Sequence, residues 1–511
     1  MTFLAETKKT MQENTTRAIV VNSLVMYLRL AVTAVAGLLT TRYALQALGE
    51  NDFGIFSVVG GVVSLITVVN AIMVSTSSRF ISVAVGRGDD SATNRIFNVC
   101  LMLHAAIALL LALVAIPAGR WYISEYVNFD GNIAEVIRVF NITILWSLLS
   151  FVGVPYNGLL MAKEKFVVFS LVEILFSVAK ALVTYLLLWA FDDKLYVYAL
   201  TVSICACAPT LAYMLYCHVK WPSLTRWRIV RDGAQYREVL LFSRWVGFGA
   251  VAQIGQAQGA TLLVNSFFSA VMNAAQGVAA SIKALVMMMA QNLTRSISPQ
   301  ITKAYVAGNH DRCRVLMAAS SKFSFFVMLV VSAPFMVDVE FILRLWLGSV
   351  PAEAPRFVYL MIVDSLIFTF NMGVSEVIFA NGNIRNYQLV INSLILLSIA
   401  AAYVVLRLGA PAYSLYYVYI AVSVINTFLR QWILHRTVGY DSRYLVRNAY
   451  LPSLAVVLLF VPILFVEGSL HPVAVMAVAE AYLCFLIFFV GLSRDERRSV
   501  VSKMIRLCQA R

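Results

Sequence analysis

Eight ionisable residues lie inside long apolar runs: Arg29, Arg79, Glu173, Lys180, Lys283, Arg295, Asp364 and Glu376. An ionised side chain at the centre of a bilayer costs about 3 kcal/mol or more unless water or a partner meets it. The chemistry open to such groups is binding. Cations at depth can hold a phosphate or pyrophosphate, and the planar fork of guanidinium pairs two phosphate oxygens at once. Carboxylates at depth can take up a proton or a sodium ion.

Helical geometry sorts these residues, because positions 4, 7 and 11 apart share a face. Asn22, Arg29, Thr33 and Thr40 fall within about 40° of one another. Glu173, Ser177, Lys180 and Thr184 form a second stripe, Asn273, Gln276, Lys283 and Met287 a third, and Asp364, Asn371 and Ser375 a fourth. Four helices thus present polar stripes to something other than lipid, and a water-filled cavity is the simplest occupant. Arg29 and Lys283 fall near mid-membrane; Arg79 and Arg295 fall near the cytoplasmic mouth, where they either receive an anionic headgroup or snorkel to the interface. Glu173 and Lys180 are about 10 Å apart along the axis, too far for a direct pair. Either each has another partner or a bound group lies between them. Asp364 either couples H+ or Na+ or neutralises a cavity cation, and Glu173 is a second coupling candidate. Glu376 points away from Asp364, near the cytoplasmic end, and is assigned no role. Gly255 and Gly259 form a GxxxG flanked by Gln253, Gln256 and Gln258. Close helix packing and sugar contact by the amides both fit it. Pro155, Pro209 and Pro334 interrupt helices and are hinge candidates.

The elements that position these residues follow from composition. The chain has 511 residues, 61% hydrophobic and 13% charged, with a mean hydropathy of +0.81. A soluble domain carries roughly 25% charged residues, and no soluble core hides this much apolar surface. Windows of spanning length, about 20 residues, recur throughout. They place fourteen helices at about 17–46, 53–86, 95–119, 135–161, 166–190, 195–219, 239–268, 270–306, 314–338, 356–380, 386–406, 412–436, 449–466 and 470–492. The polar start and the overlong first apolar run read as a retained helix, not a cleaved signal. With a cytoplasmic N-terminus, most of the 40 Lys and Arg fall in cytoplasmic segments, as orientation requires. Both termini are then cytoplasmic. The net charge of +14 reflects this asymmetry and anionic lipid, so no nucleic acid is expected. Trp121, Trp189 and Trp346 mark one surface and Trp221, Trp227, Trp245 and Trp432 the other. The seven cysteines show no zinc spacing; reduced thiols and no metal are expected.

A short repeat relates Arg79-Phe-Ile-Ser82 to Arg295-Ser-Ile-Ser298, each followed by a Gly-containing hydrophilic turn. Six helices lie between the copies, so orientation is preserved and the repeat is parallel. The expected fold is an all-α polytopic membrane protein. Two pseudo-symmetric six-helix lobes, 1–225 and 239–445, flank a central cavity. A basic linker, 226–238, joins them, and two C-terminal helices with a basic tail, 446–511, are appended.

The stretch TTRYALQALGENDFGIFSVVGGVVSLITVVNAIMVSTSSRFISVAVGRGD (40–89) resembles the opening of the polysaccharide transporter branch of the multidrug/oligosaccharidyl-lipid/polysaccharide exporter superfamily. PYNGLLMAKEKFVVFSLVEI (155–174) resembles that branch's fourth-to-fifth helix turn and ISPQITKAYVAGN (297–309) its eighth-helix exit. The resemblance covers most of the chain. It implies alternating access around a central cavity, cavity cations in the first and eighth helices (where Arg29 and Lys283 stand), and an undecaprenyl-diphosphate-linked oligosaccharide as cargo.

These readings converge on a bacterial inner-membrane flippase for a lipid-linked oligosaccharide of O-antigen, capsule or exopolysaccharide type. Arg29, Lys283, Lys180, Arg79 and Arg295 are its candidate anion-binding residues. Asn22, Gln253, Gln256, Asn273, Gln276 and Asn371 line the cavity. No cofactor is expected beyond H+ or Na+ coupling, and no catalytic residue is assigned. Membrane lipids, a polysaccharide polymerase and glycosyltransferases are the expected partners. One rival is a cation-coupled multidrug exporter of the same fold, which predicts a net-acidic cavity. The other is a membrane-embedded polymerase or glycosyltransferase, which needs a large outside loop. The longest outside loops here are 120–134 and 339–355.

Overall fold

The computed structural model describes residues 2–126, 133–268, 270–347, 350, 353–465 and 471–498. Side chains at 2–21 and at Asn273, among others, lie outside that description, as does the basic tail beyond 498. Every described element is helical. Large apolar side chains such as Leu109, Leu110, Leu113 and Val114 are exposed in rows, as expected where lipid, not water, is the solvent. The chain divides into two compact units, Met1–Ala250 and Val251–Arg511.

The first unit holds α1 (Thr2–Gly86), α2 (Asp90–Tyr126), α3 (Ile133–Val152), α4 (Val154–Ala162), α5 (Phe166–Leu186), α6 (Lys194–Lys220), α7 (Pro222–Thr225) and the first half of α8 (Gly233–Phe267). Straight, α1 would separate residues 29 and 81 by about 80 Å. Yet the Arg29 guanidinium lies 5.1 Å from the Phe169 ring, and Ile81 shares a core cluster with Phe169. The chain therefore doubles back within α1. Ala47 and Phe56 both pack on Tyr198, so the reversal falls between them, at the expected junction of the first two spans. Helical structure continues through that junction, so a bend stands where the sequence predicts a loop.

The second unit continues with α9 (Ala270–Val306), α10 (His310–Val337), α11 (Val339–Leu347), α12 (Ala354–Thr369), α13 (Met372–Asn381), α14 (Arg385–Arg407), α15 (Ser414–Val438), α16 (Ser442–Leu445), α17 (Leu451–Phe460) and α18 (Pro472–Leu486). A π-helical turn at Val446–Tyr450 joins α16 to α17, and another at Ile487–Gly491 follows α18. Eleven helical stretches among the described residues are long and apolar enough to cross a membrane, twelve with the bent pair α12–α13. Helices α8 and α9, at 35 and 37 residues, are long enough to cross but carry the glutamines and Lys283. Counted with them, the order agrees with the fourteen expected helices.

Two local features occur in both units. Before α2, Gly88 takes a φ of 73° and Asp89 accepts from the backbone N–H groups of Ser91 and Ala92. Before α10, Gly308 takes a φ of 68° and Asn309 accepts from that of Arg312. Both turns thus pair a left-handed glycine with a side-chain cap. The fourth span of each unit is then broken. Gly153 separates α3 from α4, and Phe370–Asn371 separates α12 from α13, whose axes differ by 42°. Pro155 sits in the first turn of α4, so it starts a helix and is not a mid-helix hinge; Pro209 and Pro334 are interior.

The second break is packed by neighbours. Phe370 stacks on Phe325 with centroids 4.4 Å apart, and Tyr450 donates to the Phe370 carbonyl at 3.3 Å. Beside it, a Cβ on Gly373 would stand 2.1 Å from the Met317 carbonyl oxygen. Backbone cannot yield there as a side chain can. Gly373→Ala should therefore destabilise the chain by about 1–3 kcal/mol, seen as a lower apparent Tm in detergent. Gly277→Ala, where the added Cβ meets nothing within 4 Å, is the control and should leave the Tm unchanged or raise it.

Candidate functional site

In the first unit, Arg29, Glu173 and Tyr213 come together. The Arg29 guanidinium rests over the Phe169 ring, and its buried Nε has no hydrogen-bond partner. Tyr213, buried on α6, donates to Glu173 Oε1 at 2.8 Å and also meets the Phe169 carbonyl at 3.3 Å. Both Arg29 and Glu173 act electrostatically on that hydroxyl. Cation and acid are therefore joined through a phenol and an aromatic face. Lys180 is not bridged to Glu173; its charge is felt at Cys205 on α6. Glu173 has its own hydrogen-bond partner in Tyr213. Asn22 is buried.

In the second unit the expected cation is not bare. Lys283 Nζ lies 2.8 Å from Asp364 Oδ2, with side-chain exposures of 34% and 11%. Ser423 Oγ donates to the other carboxylate oxygen at 2.6 Å. Of the two roles open to Asp364, the one observed is neutralisation of Lys283. Tyr416 and Tyr419 lie close enough to feel the Asp364 charge. Gln276 is buried and donates to the Tyr416 hydroxyl at 3.2 Å. Asn371 is buried and donates to Thr427 Oγ1 at 2.8 Å. Amide oxygens of both, Gln276 Oε1 and Asn371 Oδ1, are buried without a partner. Gln256 donates to Ser398 at 3.0 Å, whereas Gln253 is exposed. A Cβ on Gly259 would press on Ile399 at 3.1 Å, so the GxxxG serves close packing. The Asn273 side chain lies outside the described residues.

Arg79 and Arg295 each stand near a carboxylate. Arg79 lies 4.6 and 4.9 Å from the Phe80 and Phe242 rings, with Glu238 close enough to act on it. Arg295 is exposed and acts on Glu376, to which Ser298 donates a short hydrogen bond. Neither is a simple open receptor, and Glu376, without a role on sequence grounds, is engaged.

Two buried cations escape the sequence pattern. Lys322, 3% exposed in the middle of α10, pairs with Glu496 just beyond α18 at 2.7 and 2.5 Å. Arg430, 5% exposed on α15, lies over Phe368 and Tyr387. Lys322 lies eight residues after Arg314 and Arg430 six before Arg436, so along the chain each resembles a charge belonging to a nearby basic helix end. Among the described residues no group of His, Cys, Asp and Glu could hold a metal.

No protein-family model matches the chain, and no curated protein sequence matches it significantly. Solved structures do. A MATE in the bent conformation superposes with a TM-score of 0.70 at 15% identity, over 83% of this chain and 96% of the other. An outward-facing multidrug resistance MATE family transporter of the MOP superfamily gives 0.69 at 13%, over 83% and 96%. A MOP superfamily transporter from Pyrococcus furiosus, described as having a binding pocket of reverse polarity, gives 0.67 at 15%, over 83% and 96%. The chain shares the fold of these MATE structures.

The Lys283–Asp364 pair makes a direct energetic prediction. Removing one partner leaves the other unpaired in a poorly solvated site; removing both does not. Asp364→Asn and Lys283→Gln should each lower stability, by about 1–3 kcal/mol, and the double variant should lose less than the sum. A double-mutant cycle on apparent Tm checks this; strict additivity would mean the pair contributes no coupling.

Proposed function

We propose that the chain is an alternating-access transporter that moves an anionic, polyprenyl-diphosphate-linked oligosaccharide from the cytoplasmic to the outer leaflet of a bacterial inner membrane. The observation that carries the reading is the sign and setting of the charges at depth. Arg29 is held over an aromatic ring with an unsatisfied donor, and Lys283 is the more exposed half of its ion pair. A diphosphate that reaches the first unit would meet Arg29 as a ready fork, and one that reaches the second would meet Lys283 in competition with Asp364. Displacing Asp364 from Lys283 would leave a carboxylate that favours protonation, so cargo binding and uptake of H+ would be linked at one residue. A transporter needs such a difference in affinity between its states. Sugar hydroxyls would be met by Gln253 and other amides, and a polymerase or glycosyltransferases would supply and consume the cargo.

The resemblance of residues 40–89, 155–174 and 297–309 to the polysaccharide branch supports this reading over its rival. The rival, a cation-coupled multidrug exporter, is favoured by two observations: the multidrug MATE transporter among the similar folds, and the neutralisation of Lys283 by Asp364.

A flipping assay in proteoliposomes with a polyprenyl-diphosphate oligosaccharide separates the two. Arg29→Ala should lower initial flipping at least about tenfold, the loss of one charge-assisted interaction of about 1.5–3 kcal/mol. Arg29→Lys should keep part of it, and Arg42→Ala, at an exposed position, should flip normally. Full flipping by Arg29→Ala removes that residue from the mechanism. Absence of flipping together with proton- or sodium-driven export of cationic dyes decides for the rival.

A further inference from the structure

Lys322 and Arg430 are the two second-unit cations buried among the described residues, and they are treated differently. Lys283 has Asp364, Lys322 has Glu496, and Arg295 lies by Glu376. Arg430 has no carboxylate and no hydrogen-bond acceptor among the described residues. Its guanidinium lies between two rings, with Phe368 and Tyr387 centroids at 5.3 and 5.7 Å. Its Nε is buried and unpartnered. It does not snorkel, because the residue is 5% exposed.

A guanidinium keeps its charge at every accessible pH, so Arg430 cannot escape the cost of burial by losing its proton. Ring faces attract it only in part. No described residue supplies the counter-charge, and an anion bound from solution or from a lipid headgroup would. The neighbouring hydroxyls are spent within the chain: Ser375 Oγ donates to the Asn371 carbonyl at 2.9 Å and the Tyr387 hydroxyl to Ser375 Oγ at 2.8 Å, so the guanidinium is the donor an oxyanion would meet. Tyr450 feels the Arg430 charge, and its hydroxyl is held by Gln431 at 2.7 Å. Asn371 and Thr427, bonded to each other at 2.8 Å, separate this place from the Lys283–Asp364 pair along α15. Ser423 and Arg430 are seven residues apart, about 10 Å along the axis.

We infer that Arg430, seated between the Phe368 and Tyr387 rings, forms a phosphoryl-binding site within the second unit, separate from Arg29 and Lys283. Its ligand is a phosphate group, free or borne by a lipid headgroup. The guanidinium fork supplies two parallel donors, and the rings bar sideways escape.

The experiment uses the full chain, purified in an Arg29→Ala background so that Arg29 cannot supply the signal. Apparent Tm is followed at constant ionic strength against inorganic phosphate and pyrophosphate in detergent, and against phosphatidic acid in phosphatidylcholine nanodiscs. At least one probe should raise the Tm. Arg430→Gln should raise its half-saturating concentration about tenfold or more, the equivalent of one charge-assisted contact. Arg430→Lys keeps the charge without the fork and should fall between; it also serves if Arg430→Gln does not fold. A response to free phosphate or pyrophosphate identifies a soluble oxyanion, and a response to phosphatidic acid alone identifies a lipid headgroup. Equal half-saturation in all Arg430 variants, or no response to any probe, overturns the site.

Discussion

The energetics of this molecule turn on how charge is kept out of hydrocarbon. An ion pair in a poorly solvated site is a weak source of net stability, but breaking it is costly. That asymmetry makes compensation a constraint on the whole fold. Lys283 on α9 needs Asp364 on α12, so two helices far apart in sequence must meet in one register. Lys322 needs Glu496, so the segment after α18 is fastened to the middle of α10. Gly491, whose added Cβ would strike the Phe326 ring at 2.5 Å, shows how close that approach is. The appended helices are thereby built into the second unit and are not a loose extension of it.

Broken spans are the second consequence. Where a helix stops inside a bundle its carbonyls lose partners, and neighbouring side chains must supply them. At the α12–α13 break the Phe370 carbonyl accepts from Tyr450, and the Asn371 amide donates to Thr427. The corresponding break at Gly153 is narrower. There the notional Cβ would strike Thr210 on α6 at 1.9 Å, and Thr210 is bonded to Ser150 at 3.2 Å. Each break therefore sits beside a hydroxyl from a neighbouring helix. A bend held by a few hydrogen bonds can change its angle at modest cost, which a continuous helix cannot.

Hydropathy makes most spans legible, since length and apolarity decide membrane insertion with little help from tertiary detail. The helical stripes also find Arg29, Lys283 and Asp364, because period 3.6 is a local property. Contacts across helices are not legible. Nothing in the sequence ties position 283 to 364, so Lys283 reads as an open cation when it is paired. Tyr213 carries no signal, because a tyrosine in an apolar run is ordinary. Lys322 and Arg430 lie close to basic helix ends and look interfacial; only burial in three dimensions separates them from residues that reach water. The bend inside α1 is legible in position but not in form, since hydropathy registers the polar interruption and not whether helical bonding persists across it.

The two units solve the same electrostatic problem differently. In the first, Arg29 reaches Glu173 only by way of Tyr213 and the Phe169 ring. Neutral groups spread the charge and leave donor capacity on the guanidinium. In the second, Lys283 and Asp364 touch, and donor and acceptor are both consumed. An anion gains more from the first arrangement, because no carboxylate has to be displaced. A proton gains more from the second, because any event that draws Lys283 away strands a carboxylate that then prefers to be neutral. Anion attraction and proton sensitivity, as proposed above, thus fall to different side chains. Each property rests on a handful of side chains in its own unit, so each can change by substitution without disturbing the fold they share.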